Sequence, residues 1–197
     1  MQFEEAGKFI LNKLAHELPK NLTYHNVEHT KDVYRAAEVI AKAEGINDTD
    51  VKLLLTAAWY HDTGYLNGTI GHEEESCRIA NDVLPGYGYT ADEISLICGM
   101  IRATKVPQSP KTLLESILVD ADLYYLGRDD FFVTGKRLYD ELVFAGGIAD
   151  ENEWNKLQLK FMETHHYFTK TAINLRQAKK MANMVQIKAQ LINTTGK

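Results

Sequence analysis

Prolines number only four in the 197 residues, Pro19, Pro85, Pro107 and Pro110, and each falls where the apolar periodicity of the chain breaks. A proline removes a backbone N–H and clashes with the preceding helical turn. Their scarcity therefore leaves long stretches free to run as helix, and these stretches carry apolar residues at spacings of three and four. Helix-start patterns recur at Thr90–Glu93, Thr112–Glu115 and Asp150–Glu153. In each, a short oxygen-bearing side chain can accept the N–H three residues on, while the glutamate reaches back to the first. No alternating apolar/polar run is long enough to read as a strand. The spacing predicts helices near 2–18, 26–44, 49–62, 72–84, 91–104, 112–126, 129–145, 151–166 and 169–193. The expected fold class is all-α, with a single domain over 1–197. Its core spans about 20–130, and accessory C-terminal helices over 150–197 follow the break at "AGGIADE" (145–151).

Hydrophobic residues make up 45% and charged residues 25% of the chain, enough apolar material at this length for a substantial core. The net charge of -5 disfavours binding to a nucleic-acid duplex but leaves a small phosphorylated ligand open. Cys77 and Cys98 are the only cysteines, and both sit in helical segments. They form neither a disulfide framework nor a cysteine-rich zinc site, which suits a reducing compartment. Glu4 and Glu5 near the start, with no long apolar run, argue against a secretory signal and a membrane span. The expected location is cytoplasmic.

The chemistry begins at "YHNVEHT" (24–30), which contains the H-x-x-E-H spacing of inverted zinc peptidases. On a helix, His25, His29, Val33, Ala36 and Ile40 share one stripe, whereas Glu28 lies about 100° away with Lys31, Asp32 and Arg35. His29 is thus expected to face the core and Glu28 the solvent. A peptidase would need a glutamate ligand from a later helix, and the sequence identifies none. Instead, "LLLTAAWYHDTGY" ends an apolar stripe of Val51, Leu54, Leu55 and Ala58 on His61 and Asp62. A carboxylate at such a position requires a cation or hydrogen-bond donors. In "TLLESILVDADLYYLG" the stripe Leu113, Ile117, Asp120, Tyr124 puts a further carboxylate on the core face. Asp122 lies about 200° from it around the helix and is expected outside the site. His29, His61, Asp62 and Asp120 form a borderline-to-hard ligand set for one divalent ion. It suits Mn or Fe best, with Mg, Co, Ni or Zn also compatible. Four protein ligands leave coordination positions open, as a catalytic ion needs.

The order His29, His61–Asp62, Asp120, with "AAWYHDTGY", "HEEESCRIA", "MIRATK" and "DADLYYLG", resembles the HD-domain superfamily of metal-dependent phosphohydrolases over about residues 20–130. The resemblance implies hydrolysis of a phosphomonoester or phosphodiester by metal-activated water, with a nucleotide among the candidate substrates. Asp62 would bind both the ion and the nucleophilic water. Tyr24–His25–Asn26 is similar to a motif of cyclic-nucleotide phosphodiesterases whose histidine is a general acid, so His25 either has that role or is a histidine held by local hydrogen bonds. His72 stands where certain two-metal relatives place a further ligand, and is the other candidate acid. Thr104 and Lys105 replace the histidines that such enzymes carry nearby, which argues against a complete second metal site. Arg78, Arg102 and Lys105 are candidate phosphate contacts. Glu73 and Glu75 are candidates to orient His72 or another ligand, and Glu74 is expected in solvent. His165 and His166 diverge on a helix and are expected to pack in an accessory element. Two other readings are compatible: a non-catalytic sensor binding metal and nucleotide, and an HD-type di-iron oxygenase, which the missing histidines weaken.

Overall fold

The computed structural model describes residues 1–195, and among these it contains nine α-helices and no strand. They are α1 Phe3–Glu17, α2 Val27–Glu44, α3 Asp48–Tyr60, α4 His72–Val83, α5 Ala91–Ala103, α6 Leu113–Asp122, α7 Phe131–Phe144, α8 Glu151–Thr164 and α9 Lys170–Thr195. The expected all-α architecture is observed, with helix ends within a few residues of the periodicity reading. Two departures matter for the site. The helices expected to run to 62 and to 126 end earlier and continue as short 3-10 turns, Thr63–Leu66 and Tyr124–Gly127.

Local chemistry sets these boundaries. Thr90 and Thr112 both form reciprocal caps with Glu93 and Glu115. Asp150 accepts the N–H of Glu153, but the Glu153 carboxylate turns to the N–H of Ala149 instead of closing the pair. Asn26 and Asn47 each cap their helices by accepting two backbone N–H groups. Gly45, with φ 74°, ends α2 in the left-handed conformation that glycine adopts without a Cβ clash.

Helices α1 to α6 enclose the main core, which includes Ile10, Ile40, Leu54, Tyr60, Ile97 and Ile117 at 0% exposure. Each such side chain contributes about 1.5–3 kcal/mol relative to an exposed one. A second cluster, Leu126, Phe131, Met162, Met184 and Ile187, joins α7, α8 and α9 to the 3-10 turn after α6. Close backbone approaches fix how these layers meet. A Cβ on Gly64 would lie 2.0 Å from the carbonyl oxygen of His72, and one on Gly127 would lie 2.3 Å from that of Arg176. Gly64 therefore lets the start of α4 press against the turn after α3. Its N–H is bonded to Ser76 Oγ at 2.8 Å.

No helix among the described residues is long and apolar enough to cross a membrane.

Candidate metal centre

Three helix ends deliver the cluster. His29 lies in the first turn of α2, His61 caps the C-terminus of α3 and is followed by Asp62, and Asp122 is the last residue of α6. His29 Nε2 lies 3.3 Å from His61 Nε2, 3.3 Å from Asp62 Oδ2 and 3.2 Å from Asp122 Oδ1. His61 Nε2 lies 3.2 Å from Asp62 Oδ2 and 3.6 Å from Asp122 Oδ1. Ligands about 2.1–2.2 Å from a common ion at tetrahedral or octahedral angles are separated by about 3.0–3.6 Å, so these spacings fit one ion.

Three further observations favour a cation. His61 Nδ1 is 2.9 Å from the Ala58 carbonyl oxygen, so it carries the proton and presents the Nε2 lone pair to the cluster. Asp62 Oδ2 is buried without a hydrogen-bond partner, although both imidazoles lie within 3.3 Å. Burial pushes His29 down, yet the carboxylates of Asp122 and Asp62 beside it together outweigh burial and hold it at about 9, which reports the negative potential a cation would meet there. With both imidazoles deprotonated as ligands, the two carboxylates would give the site a formal charge of -2, which a divalent ion would neutralise. The donors fit an N₂O₂ site for a first-row metal or magnesium.

The expectation for α6 is corrected. Asp122 joins the cluster, and Asp120 does not: its carboxylate accepts the N–H of Phe168 and both the N–H and hydroxyl of Thr169. Residues 117–121 are all buried, so α6 has no single core-facing stripe at this end. Both faces of the helix end are interior, so a 200° separation sends the two aspartates to different buried neighbourhoods rather than one to solvent.

His25 also differs from expectation. It precedes the cap Asn26 and so lies outside the helical register of His29. Glu141 of α7 holds it instead: Oε1 is 2.5 Å from His25 Nδ1, while Oε2 accepts the N–H groups of Tyr24 and His25 at 2.9 and 3.0 Å. Burial raises the Glu141 carboxyl, but these donors outweigh it and keep the group lowered and anionic. Tyr65 is sandwiched between His25 and His72, with ring centroids 4.3 Å from each. His72 Nε2 lies 3.6 Å from Asp62 Oδ1 and 3.8 Å from Glu73 Oε1. Glu141 was not found from the sequence, where an acidic residue in an accessory helix carries no distinguishing signal.

The charged residues proposed for phosphate separate. Lys105 lines the cavity that contains His25, Asp62, His72 and Asp122. Arg78 instead pairs with Glu75 and Asp82 on the outer face of α4, and Arg102 makes two bonds to Glu74. The structure does not bring either arginine to the cluster. Glu75 is likewise turned away, to Asn67 and Arg78, leaving Glu73 as the buried carboxylate beside His72. Glu28 is exposed and paired with Lys31, as expected. His165 packs against Tyr167 away from the cluster.

The sequence profile of the HD domain matches residues 26–125, just over half of the chain. An uncharacterized protein of Clostridium beijerinckii is 34% identical over 85 residues, which cover 41% of this chain and 53% of that protein, so the chain aligns with about half of this relative's length. The fold is similar to that of a predicted HD-superfamily hydrolase from an uncultured Thermotogales bacterium, with a TM-score of 0.65 and 19% identity, covering 96% of this chain and 91% of the other. It is also similar to a protein from Lactobacillus plantarum, with a TM-score of 0.66 and 22% identity, covering 98% and 100%. The matched segment opens at the cap of the His29 helix and closes just beyond Asp122, enclosing all four converging donors, and the chain belongs to the HD-domain family.

Proposed function

We propose that this chain is a divalent-metal-dependent hydrolase of phosphate esters. The observation that carries the reading is the convergence of His29, His61, Asp62 and Asp122 at one end of a cavity that also presents His25, His72 and Lys105. A divalent ion held by those four residues would supply Lewis-acid polarisation of a phosphoryl oxygen and make water a competent nucleophile near neutral pH.

The remaining steps belong to the chain's own side chains. Asp62 Oδ2 faces the imidazoles while Oδ1 lies toward His72, so Oδ1 is placed to accept a hydrogen bond from an attacking water and orient it. Lys105, which lines the same cavity, is available to neutralise a non-bridging phosphoryl oxygen. Glu141 fixes the His25 ring through Nδ1, which directs Nε2 toward the cavity to deliver a proton to the departing alkoxide. His72 stands beside Oδ1 at 3.6 Å, on the substrate side of Asp62. In-line displacement needs nucleophile and leaving oxygen on opposite sides of phosphorus, and Asp62 and His25 lie on different elements around one cavity.

The test is product analysis of the purified protein against nucleotides, sugar phosphates and simple phosphate esters, with Mn²⁺, Fe²⁺ or Mg²⁺ supplied. Metal-dependent release of phosphate or a phosphomonoester is expected. Stoichiometric metal binding with no turnover of any ester would replace this reading by a non-catalytic one.

A further inference from the structure

The cavity beside the metal-binding cluster has a volume of about 760 Å³, within the roughly 300–1,000 Å³ typical of small-molecule sites. Asp62, Asp122, His25 and His72 lie together at its metal-binding end. Much of the rest of its wall is apolar. Leu138 and Leu142 of α7 and Leu157 and Phe161 of α8 line it. Leu157 is 45% exposed although it lines the cavity. Ile70 and Val106, 99% and 58% exposed, belong to the same lining and therefore form an apolar rim. Such a grouping of incompletely covered apolar side chains around one concavity marks a surface that gains by being covered.

From this division we infer that the substrate is a phosphate ester of an apolar alcohol, with its phosphate at the metal-binding end and its hydrocarbon body between α7 and α8. The inference rests on the phosphoester reading and specifies its substrate class. A nucleobase is the less suitable occupant. Base recognition requires donors and acceptors aimed at the base edges, because a pocket selects polar groups by pairing them. Among the described lining residues of α8, Gln158 supplies the one side-chain amide, and its NH₂ already donates to Asn155 at 2.7 Å. Leucine and phenylalanine walls instead reward each methylene that they cover, by about fourfold in affinity per fully buried group.

The test uses the full chain loaded with Mn²⁺ and non-hydrolysable n-alkylphosphonates of one, four and eight carbons, with thymidine monophosphate as the nucleotide comparison. Calorimetric titration should show octylphosphonate binding at least about a hundredfold more tightly than methylphosphonate, and more tightly than the nucleotide. Leu142→Gln and Leu157→Gln should each reduce that preference by at least about fivefold while leaving methylphosphonate binding unchanged. Leu157 is partly exposed, so its variant should fold even if the other does not. Hydrolysis of ethyl and octyl phosphate is measured in parallel. Affinity independent of chain length, or tighter binding of the nucleotide, overturns the inference. Turnover of short esters with no chain-length effect would do so while sparing the hydrolase reading. Chain-length-dependent binding without turnover of any ester would instead remove the hydrolase reading and keep the ligand class.

Discussion

Asp120 accepts two hydrogen bonds of 2.7 Å from Thr169, one from its backbone N–H and one from its hydroxyl. Two residues further on, Asp122 places Oδ1 3.2 Å from His29 Nε2. One helix end thus ties the start of α9 to the main core with one carboxylate and completes the metal-binding cluster with the other. Burial raises the Asp120 carboxyl, while its donors from Phe168 and Thr169 pull the other way.

This separation makes the two aspartates distinguishable by substitution. Asp120→Asn turns an NH₂ group toward backbone N–H donors and should cost about 1–3 kcal/mol, read by thermal or chemical denaturation, with Mn²⁺ binding preserved. Asp122→Asn should keep the fold but weaken Mn²⁺ binding by at least about a hundredfold, because one of two anionic ligands is lost. The reverse pattern would return Asp120 to the site and remove Asp122.

Glu141 is argued to act through His25, and leaving-group dependence exposes that role. His25→Ala should slow hydrolysis of alkyl phosphates by about a hundred- to ten-thousandfold, with a much smaller deficit on nitrophenyl phosphate, whose leaving group needs no proton. Glu141→Gln keeps an oxygen for the two backbone N–H groups but turns an NH₂ toward His25 Nδ1, and should reproduce the same substrate pattern at reduced size. Equal losses on both ester types, at equal metal occupancy, would remove His25 as the acid.

Gly64 is a test of how α4 is positioned. A Cβ there meets the His72 carbonyl oxygen at 2.0 Å, which is backbone and cannot rotate away, so Gly64→Ala must displace the start of α4. The expected cost is about 1–3 kcal/mol or more, accompanied by slower turnover as His72 moves from Asp62. Gly86→Ala is the control, since nothing lies within 4 Å of a Cβ at that position. A Gly64→Ala protein as stable and active as the control would show that the contact is not required.

Much of this was legible in the sequence because it depended on local rules. Proline placement, threonine caps and a 3.6-residue period set the helices, and the core-facing positions of His29, His61 and Asp62 followed from the same period. What failed was the assumption that each helix has one interior face. That assumption holds for the start of α2, whose Glu28 is exposed, and fails for the buried end of α6. Contacts between distant segments were beyond reach for a different reason. Glu141 meets His25 across 116 residues and Thr169 meets Asp120 across 49, and no spacing rule connects them. Arg78 and Arg102 looked available as cations, but their nearest carboxylates, Glu75, Asp82 and Glu74, already hold them.

His165, outside the metal-binding cluster, provides a pH prediction of its own. Burial first, and then the positive charge of Lys180, push it down to about 3. Lys180 Nζ lies 3.1 Å from His165 Nδ1 and also donates to the His165 carbonyl oxygen, so a second charge there would be repelled. An unfolded histidine takes up its proton near pH 6.5, whereas the folded ring stays neutral until about 3. Between those values the unfolded state holds one more proton from this residue, so its contribution to stability is complete above about pH 6.5 and declines as the pH falls. The slope from one proton is about 1.4 kcal/mol per pH unit. His165→Phe removes the titration while keeping an aromatic ring beside Phe161 and Tyr167. Carboxylates shared by both proteins cancel in the comparison. Denaturation between pH 4 and 6.5 should therefore show the wild-type protein losing stability more steeply than the variant by about that slope, and parallel profiles would mean that His165 is already protonated in the folded chain.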